Sequence, residues 1–277
     1  MTEKLITICS DDFGQNRSID DGILKLINLG RLHAVTVFTE SPRWQQSSAQ
    51  LQPFEHQIDI GIHLNLTESF PDFPKKYSLN KLLMLSHLRW LNKDAIKSIF
   101  RKQIELFQAQ MGRLPDFLDG HQHIHAFPVI NQALQEVILE FWGNNPTLYV
   151  RDSSKLTFSF DGFLLKKIIL HLACRHLTKK MATIDVPTTS SFTGVYDFNS
   201  QANYAQLVND WLATSKPHTL MMCHPACDPM SDEDALHEAR VNEFNYLSSN
   251  QFLSDCERLR VKLTRYSTPH PNLKVST

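Results

Sequence analysis

The sequence predicts an α/β fold: a distorted (β/α) barrel of the TIM type, formed as a single domain over residues 1–277. Three observations lead there. Short apolar runs, often β-branched, alternate with longer helical patterns along the whole chain, as expected of a mainly parallel sheet with helical crossovers. About eight strand–helix units fit this length, the number a closed barrel needs. No linker, internal repeat or low-complexity tract divides the chain. A doubly wound open sheet is the second candidate.

The elements follow in order. Residues 5–9 (LITIC) form a first strand, ended by the polar pair Asp11-Asp12 and Gly14. A helix spans 19–29, closed by Gly30. A strand at 34–38 precedes a helix at 42–51 that opens on Pro42, and 58–64 (IDIGIHL) reads as a strand by its alternation. The loop 67–90, with Pro71 and Pro74 near its start, is a candidate substrate cover. A helix at 94–111 ends before Gly112, and a short strand at 116–118 follows. Helix and strand then alternate at 129–142, 147–150, 160–178, 183–186, 203–213 and 219–223. Helices at 232–248 and 254–258 and a strand at 260–264 complete the pattern. Residues 269–277 read as a frayed tail.

Composition narrows the function. Lys and Arg number 28 against 29 Asp and Glu, a net charge of -1, so no global basic field favours nucleic acid. With 17 Phe, 6 Tyr and 4 Trp, the chain can build a core and is not disordered. The apolar stretch between Lys4 and Asp11 is too short for a signal peptide, and no segment reaches the roughly 20 apolar residues of a membrane span. Five irregularly spaced cysteines point to free thiols in a reducing cytoplasm.

The 13 histidines are informative by placement. Asp11 and Asp12 follow the first strand, His63 closes the third, Asp119, His121, His123 and His125 follow the fourth, and His224 follows the seventh. In barrels and open α/β sheets this edge carries the active site. Adjacent carboxylates repel each other unless a cation sits beside them. One can ligate a metal while the other acts as a base; alternatively either one caps the turn before Gly14. In GIHLNLT, Gly61, His63 and Asn65 share one face of the strand. In LDGHQHIH, His121, His123 and His125 share a face if the chain is extended, and His121 and His125 if it is helical. Asp119 is a candidate to fix an imidazole tautomer. His224 precedes Pro225, which restricts its backbone, and fits a proton donor. Asp plus two His with open positions suits one divalent ion, Mg or Zn, with other transition metals as further candidates. Such a site activates water and polarises a carbonyl.

These four motifs, DDFG, GIHLNLT, LDGHQHIH followed by Phe127-Pro128, and MCHPA, occur in an order and spacing that resembles the YdjC-like carbohydrate deacetylases. That family includes chitooligosaccharide deacetylases and hopanoid-biosynthesis-associated deacetylases. The resemblance spans residues 5 to about 263, with weaker echoes at Tyr149-Val150-Arg151, 191–194 and Arg240 with Glu243 and Leu247. It implies a metal-dependent enzyme that removes the N-acetyl group of an amino sugar. It implies Asp12, His63 and His121 as metal ligands, Asp11 as general base and His224 as general acid. Arg151, His125 and Asn65 are implied near the substrate, with His125 a further candidate ligand. The chain departs from the family pattern in Cys9-Ser10 before the acidic pair, in Gln122, and in Glu40-Ser41. The expected partner is a small carbohydrate, without nucleic acid or a membrane span, and with a homodimer as a candidate state. Two other readings compete: a different metallohydrolase (amide or phosphoester) on the same barrel, and a non-catalytic metal- or sugar-binding protein.

Overall fold

The computed structural model describes residues 3–144, 146–157, 162–227 and 234–267. All its strand pairings are parallel: β1 (Lys4–Phe13), β2 (Ala34–Val37), β3 (Asp59–Leu64), β4 (Phe117–Gly120), β5 (Tyr149–Val150), β6 (Ser191–Thr193), β7 (Thr219–Cys223) and β8 (Val261–Leu263). The order across the sheet is β5-β4-β3-β2-β1-β7-β6. On one edge β1 pairs twice: its first residues with β8 and residues from Cys9 onward with β2. Among the described residues β5 and β6 do not pair directly: Val150 of β5 bridges Thr188 ahead of β6, and Leu156 beyond β5 bridges Phe192 of β6. The barrel is therefore a curled sheet closed by irregular chain.

Helices cover the outside: α1 (Arg17–Asn28), α2 (Trp44–Leu51), α3 (Leu79–His87), α4 (Lys93–Met111), α5 (Ile130–Trp142), α6 (Leu164–Cys174), α7 (Leu177–Ala182), α8 (Tyr204–Thr214), α9 (His237–Ser248) and α10 (Asn250–Arg258). Several start where an Asn or Ser side chain accepts a backbone N–H: Asn16 from Ile19, Asn92 from Ala95, Asn203 from Gln206 and Ser249 from Phe252. With helices on one face and barrel interior on the other, β1 to β4 and β7 are almost wholly buried.

The interior is plugged by one layer of side chains: Cys9, Ala34, Phe117, Tyr149, Phe192 and Leu220. Phe117 stacks on Tyr149 with ring centroids 4.8 Å apart. β3 contributes Gly61 here, because a Cβ would stand 2.7 Å from the Phe117 ring. Gly61→Ala should lower unfolding stability by about 1–3 kcal/mol, since a ring held against Tyr149 has little room to retreat. Urea denaturation measures it, and an unchanged midpoint would contradict this packing.

Four expectations need correction. Residues 183–186 are not a strand: Val186 N–H donates to Met181 O and Asp185 has φ 55°, closing α7 in a turn. The sixth strand is instead β6. Residues 67–90 are not all loop, since α3 lies within them and buries Leu82 and Ser86. The helix expected at 160–178 divides into α6 and α7. The acidic pair does not follow the first strand but lies inside β1, which runs to Phe13. Residues 160–161 and 232–233, the starts of two expected helices, and the tail 269–277 lie outside the described residues.

Candidate metal centre and active site

Alternation along the strands builds the site directly above the plug. Two residues beyond Cys9, Ala34, Gly61, Phe117 and Tyr149 stand Asp11, Thr36, His63, Asp119 and Arg151. Side chains two apart on a strand share a face, so these five point into the barrel mouth. Their partners are one another. Arg151 donates to both oxygens of Asp11, Nη1 to Oδ2 at 2.8 Å and Nη2 to Oδ1 at 2.6 Å, and Nη2 lies 2.7 Å from Asp119 Oδ2. Asp119 Oδ1 is 2.7 Å from His63 Nδ1, and Thr36 Oγ1 is 3.1 Å from the same nitrogen. In the neutral ring a carboxylate at Nδ1 keeps the proton there, so that loss of the second proton frees the Nε2 lone pair toward the site.

Asp12 should face away by alternation, yet it joins the cluster. The backbone of Asp12 is left-handed, φ 69°, at an irregularity in the β1–β2 register between Ser10 and Phe13. That twist sets both carboxylates of the pair on the same rim; a non-glycine residue held there points to a functional constraint. Asp12 Oδ1 lies 3.5 Å from His63 Nε2 and 3.4 Å from His121 Nδ1, and it is buried without a hydrogen-bond partner. Its other oxygen accepts from Arg240 Nη2 at 2.7 Å. Asp12, His63 and His121 thus offer one ligand atom each around a common point. An orphaned carboxylate oxygen beside two imidazoles fits a divalent cation.

His224 lies on the other flank, its Nε2 3.6 Å from Asp11 Oδ2. Its backbone N–H donates to Glu243 Oε2 at 2.6 Å, and Glu243 also accepts from Tyr196 Oη at 2.6 Å. Arg240 and Glu243 of α9 therefore hold Asp12 and His224 from behind. Burial, with Arg240 nearby, lowers the His224 imidazole to about 4 despite Asp11 and Asp12. Burial alone would raise Asp11, but Arg151 overrides it and holds the carboxyl well below the usual range. For His63 burial lowers and Asp119 raises, and the balance is about 8. A divalent ion must displace that proton, so its apparent affinity should weaken about tenfold per pH unit below pH 8. Calorimetry in buffers of different ionisation heat would show proton release; no release would contradict this.

The other expected residues are placed differently. Arg151 is 1% exposed, and its two Nη groups lie against Asp11, Asp119 and Cys9 Sγ, below the cavity floor rather than among its lining residues. His125 is fully buried, its Nε2 2.7 Å from Arg151 O, and stays outside the ligand group. Asn65 folds the loop after β3, its Oδ1 accepting from Thr67 N and Glu68 N. That turn carries Glu68 toward the site, where Oε2 lies 3.8 Å from His121 Nε2. His123 sits against Ser153, Oγ to Nδ1 2.9 Å, not against Asp12. The sequence reading missed Thr36, though it stands two residues from Ala34 in β2. The roles of Arg240 and Glu243 come from α9, far along the chain, and had no local signal beyond the motif echo.

A cavity of about 1320 Å3 opens over these groups. Asp11, Asp12, His63, His121 and His224 lie on its floor, and α3 and α6 form part of its walls.

The family model described as YdjC-like protein matches residues 5–258. A carbohydrate deacetylase from Mus musculus is 27% identical over 146 residues, 48% of this chain and 46% of that protein. The chain spans about half the length of the first such relatives it matches. A chitooligosaccharide deacetylase from Yersinia enterocolitica is 22% identical over 276 residues, 96% of this chain and 99% of that one. Among solved structures, an Enterococcus faecalis V583 protein with a suggested role in cellobiose-phosphate cleavage aligns with TM-score 0.70 at 18% identity, over 96% of this chain and 99% of that one. A family 4 acetyl xylan esterase from Clostridium thermocellum, in complex with a cobalt ion, aligns with TM-score 0.52 at 10% identity, over 95% and 88%. These structural likenesses show the fold, an α/β TIM-like barrel.

Proposed function

We propose, for a chain that belongs to the YdjC-like protein family, that it is a divalent-metal-dependent deacetylase hydrolysing the N-acetyl group of an amino sugar. The observation that carries this is Asp12 Oδ1, orphaned between His63 and His121, with a second carboxylate and a third imidazole on the opposite flank. The relatives named as deacetylases of carbohydrates supply the substrate class.

Asp12, His63 and His121 would hold the ion, which when bound supplies Lewis acidity for a carbonyl and for water. Mg and Zn both suit this donor set, and Zn prefers its two nitrogens. Asp11 is the base. Arg151 keeps it ionised throughout the neutral range, so it is always ready to accept a proton, though it is a weak base at rest. His224 is the acid. Its imidazole is neutral near pH 7, so the proton for the departing amine has to arrive during turnover. Asp11, 3.6 Å away, is the neighbour able to pass it on. Arg240 and Glu243 fix the distance between the two flanks. The amide C–N bond breaks as water's oxygen joins the acetyl carbon, giving acetate and the free amine.

His121→Ala should remove the bound metal and abolish acetate release from N-acetylglucosamine oligomers. Elemental analysis of the purified protein checks the first effect; normal metal content would move the ligand elsewhere. Phosphate release from model esters without acetate release would favour the other metallohydrolase reading. Binding of oligomer without either product would favour a binding protein.

A further inference from the structure

The two helices at the cavity mouth carry a surface that catalysis does not use. α6 exposes Leu164, Leu165, Ile168, Ile169 and Leu172, each between 41% and 71% accessible. Their spacing of one, three and four residues makes a continuous stripe along the helix. Leu165 and Ile169 lie where this stripe meets the cavity wall. α3, whose Leu79 and Leu83 line the cavity, continues the apolar surface: Met84 is 53% exposed, Leu88 47%, and Trp90 just beyond is 71%. The C-terminal end of α3 lies beside α7, since Arg89, His176, Lys179 and Lys180 border one surface hollow.

Charge follows the same two segments. Residues 73–93 and 162–184 contain no Asp or Glu, and each holds five Lys or Arg. Lys167 is buried, Lys166 donates to Tyr196 O and Lys93 pairs with Glu136, so the surface cations are Lys75, Lys76, Lys81, Arg89, Arg175, Lys179 and Lys180. The chain as a whole is balanced at 28 against 29, so this is a local concentration of positive charge. Exposed aliphatic side chains in a row, flanked by cations, match the interface of an anionic bilayer. A second copy of the chain fits poorly, because a two-fold contact through this face would set cation against cation. Nucleic acid would leave the leucines and isoleucines in water.

We propose that α6, with the end of α3, docks the protein on an anionic lipid surface, with the cavity opening toward it. Among the described residues no helix is long and apolar enough to cross a membrane, so docking is peripheral. This proposal stands on the surface alone and does not depend on the deacetylase reading. If that reading also holds, an acetylated sugar held at the bilayer reaches the site without leaving it.

Flotation with phosphatidylcholine vesicles, with and without phosphatidylglycerol, tests it on the full chain. Binding is expected only with phosphatidylglycerol, and it should fall in high salt. Leu164→Glu, Ile168→Glu and Leu172→Glu lie outside the cavity lining and are solvent-exposed, so the fold should be retained. Each should weaken vesicle binding about tenfold or more, with a blue shift of tryptophan fluorescence lost in parallel. No binding to either vesicle, or equal binding by the three variants, would overturn the proposal. So would a dimer in sedimentation velocity that Leu164→Glu dissociates, which would assign the face to a second copy. Acetate release from a water-soluble oligomer should be unchanged in the variants, which separates this test from the test of catalysis.

Discussion

Asp11→Asn should lower acetate release by about three orders of magnitude while leaving the metal content unchanged. The residue sits on the cavity floor between the proposed ligand set and His224. The amide has nearly the carboxylate's size, so the pocket keeps its shape, but it carries neither the charge nor the basicity to take a proton from water. The ligand oxygen belongs to Asp12, held by Arg240 rather than by Asp11, so metal binding should survive. Elemental analysis and an acetate assay on the same preparation separate the two effects. Full activity in the variant would remove Asp11 from the reaction.

Arg151→Met should be the most destabilising single change. Its guanidinium pairs with Asp11 and Asp119, all three buried. Removing it leaves two buried carboxylates without that cation, a loss of about 3–5 kcal/mol. The sign with pH follows from Asp11. Its folded carboxyl is held below its ordinary value by Arg151, so its stabilising contribution is present above that ordinary value and fades as acid protonates it. In the variant, burial, the largest influence on this carboxyl, is opposed by the smaller pulls of His63 and His224 and favours the protonated form. The gap between wild type and variant should therefore be widest near neutral pH and narrow toward pH 4. Urea denaturation across that range measures it; a gap independent of pH would mean the loss is one of packing.

Much of the barrel was legible because its strands obey local rules. LITIC, AVTV and IDIGIHL are short, apolar and β-branched, and the structure places β1, β2 and β3 there. Residues 183–186 show the limit: Ile184 and Val186 alternate as a strand would, but their backbone N–H groups close α7 instead. β6, at Ser191–Thr193, is too short for alternation to show and is fixed by its pairing with β7. At the site, the polar residues at strand ends were visible as a set, and the structure brings Asp12, His63 and His121 together. What the chain order hides is who holds whom. Arg151 reads as a free cation until Asp11, 140 positions away, closes on it. Arg240 reaches Asp12 across 228 positions. The left-handed backbone of Asp12 had no cue either, because aspartate tolerates that conformation without requiring it.

The proposed removal of acetate from an amino sugar depends on one divalent ion at this site. The most direct test is acetate release from N-acetylglucosamine oligomers by chelator-stripped protein as metal is titrated back. The stripped protein should release no acetate, recovery should saturate at one ion per chain, and His63→Ala should not recover. Acetate release that persists in the stripped protein, or full recovery in His63→Ala, would contradict that dependence.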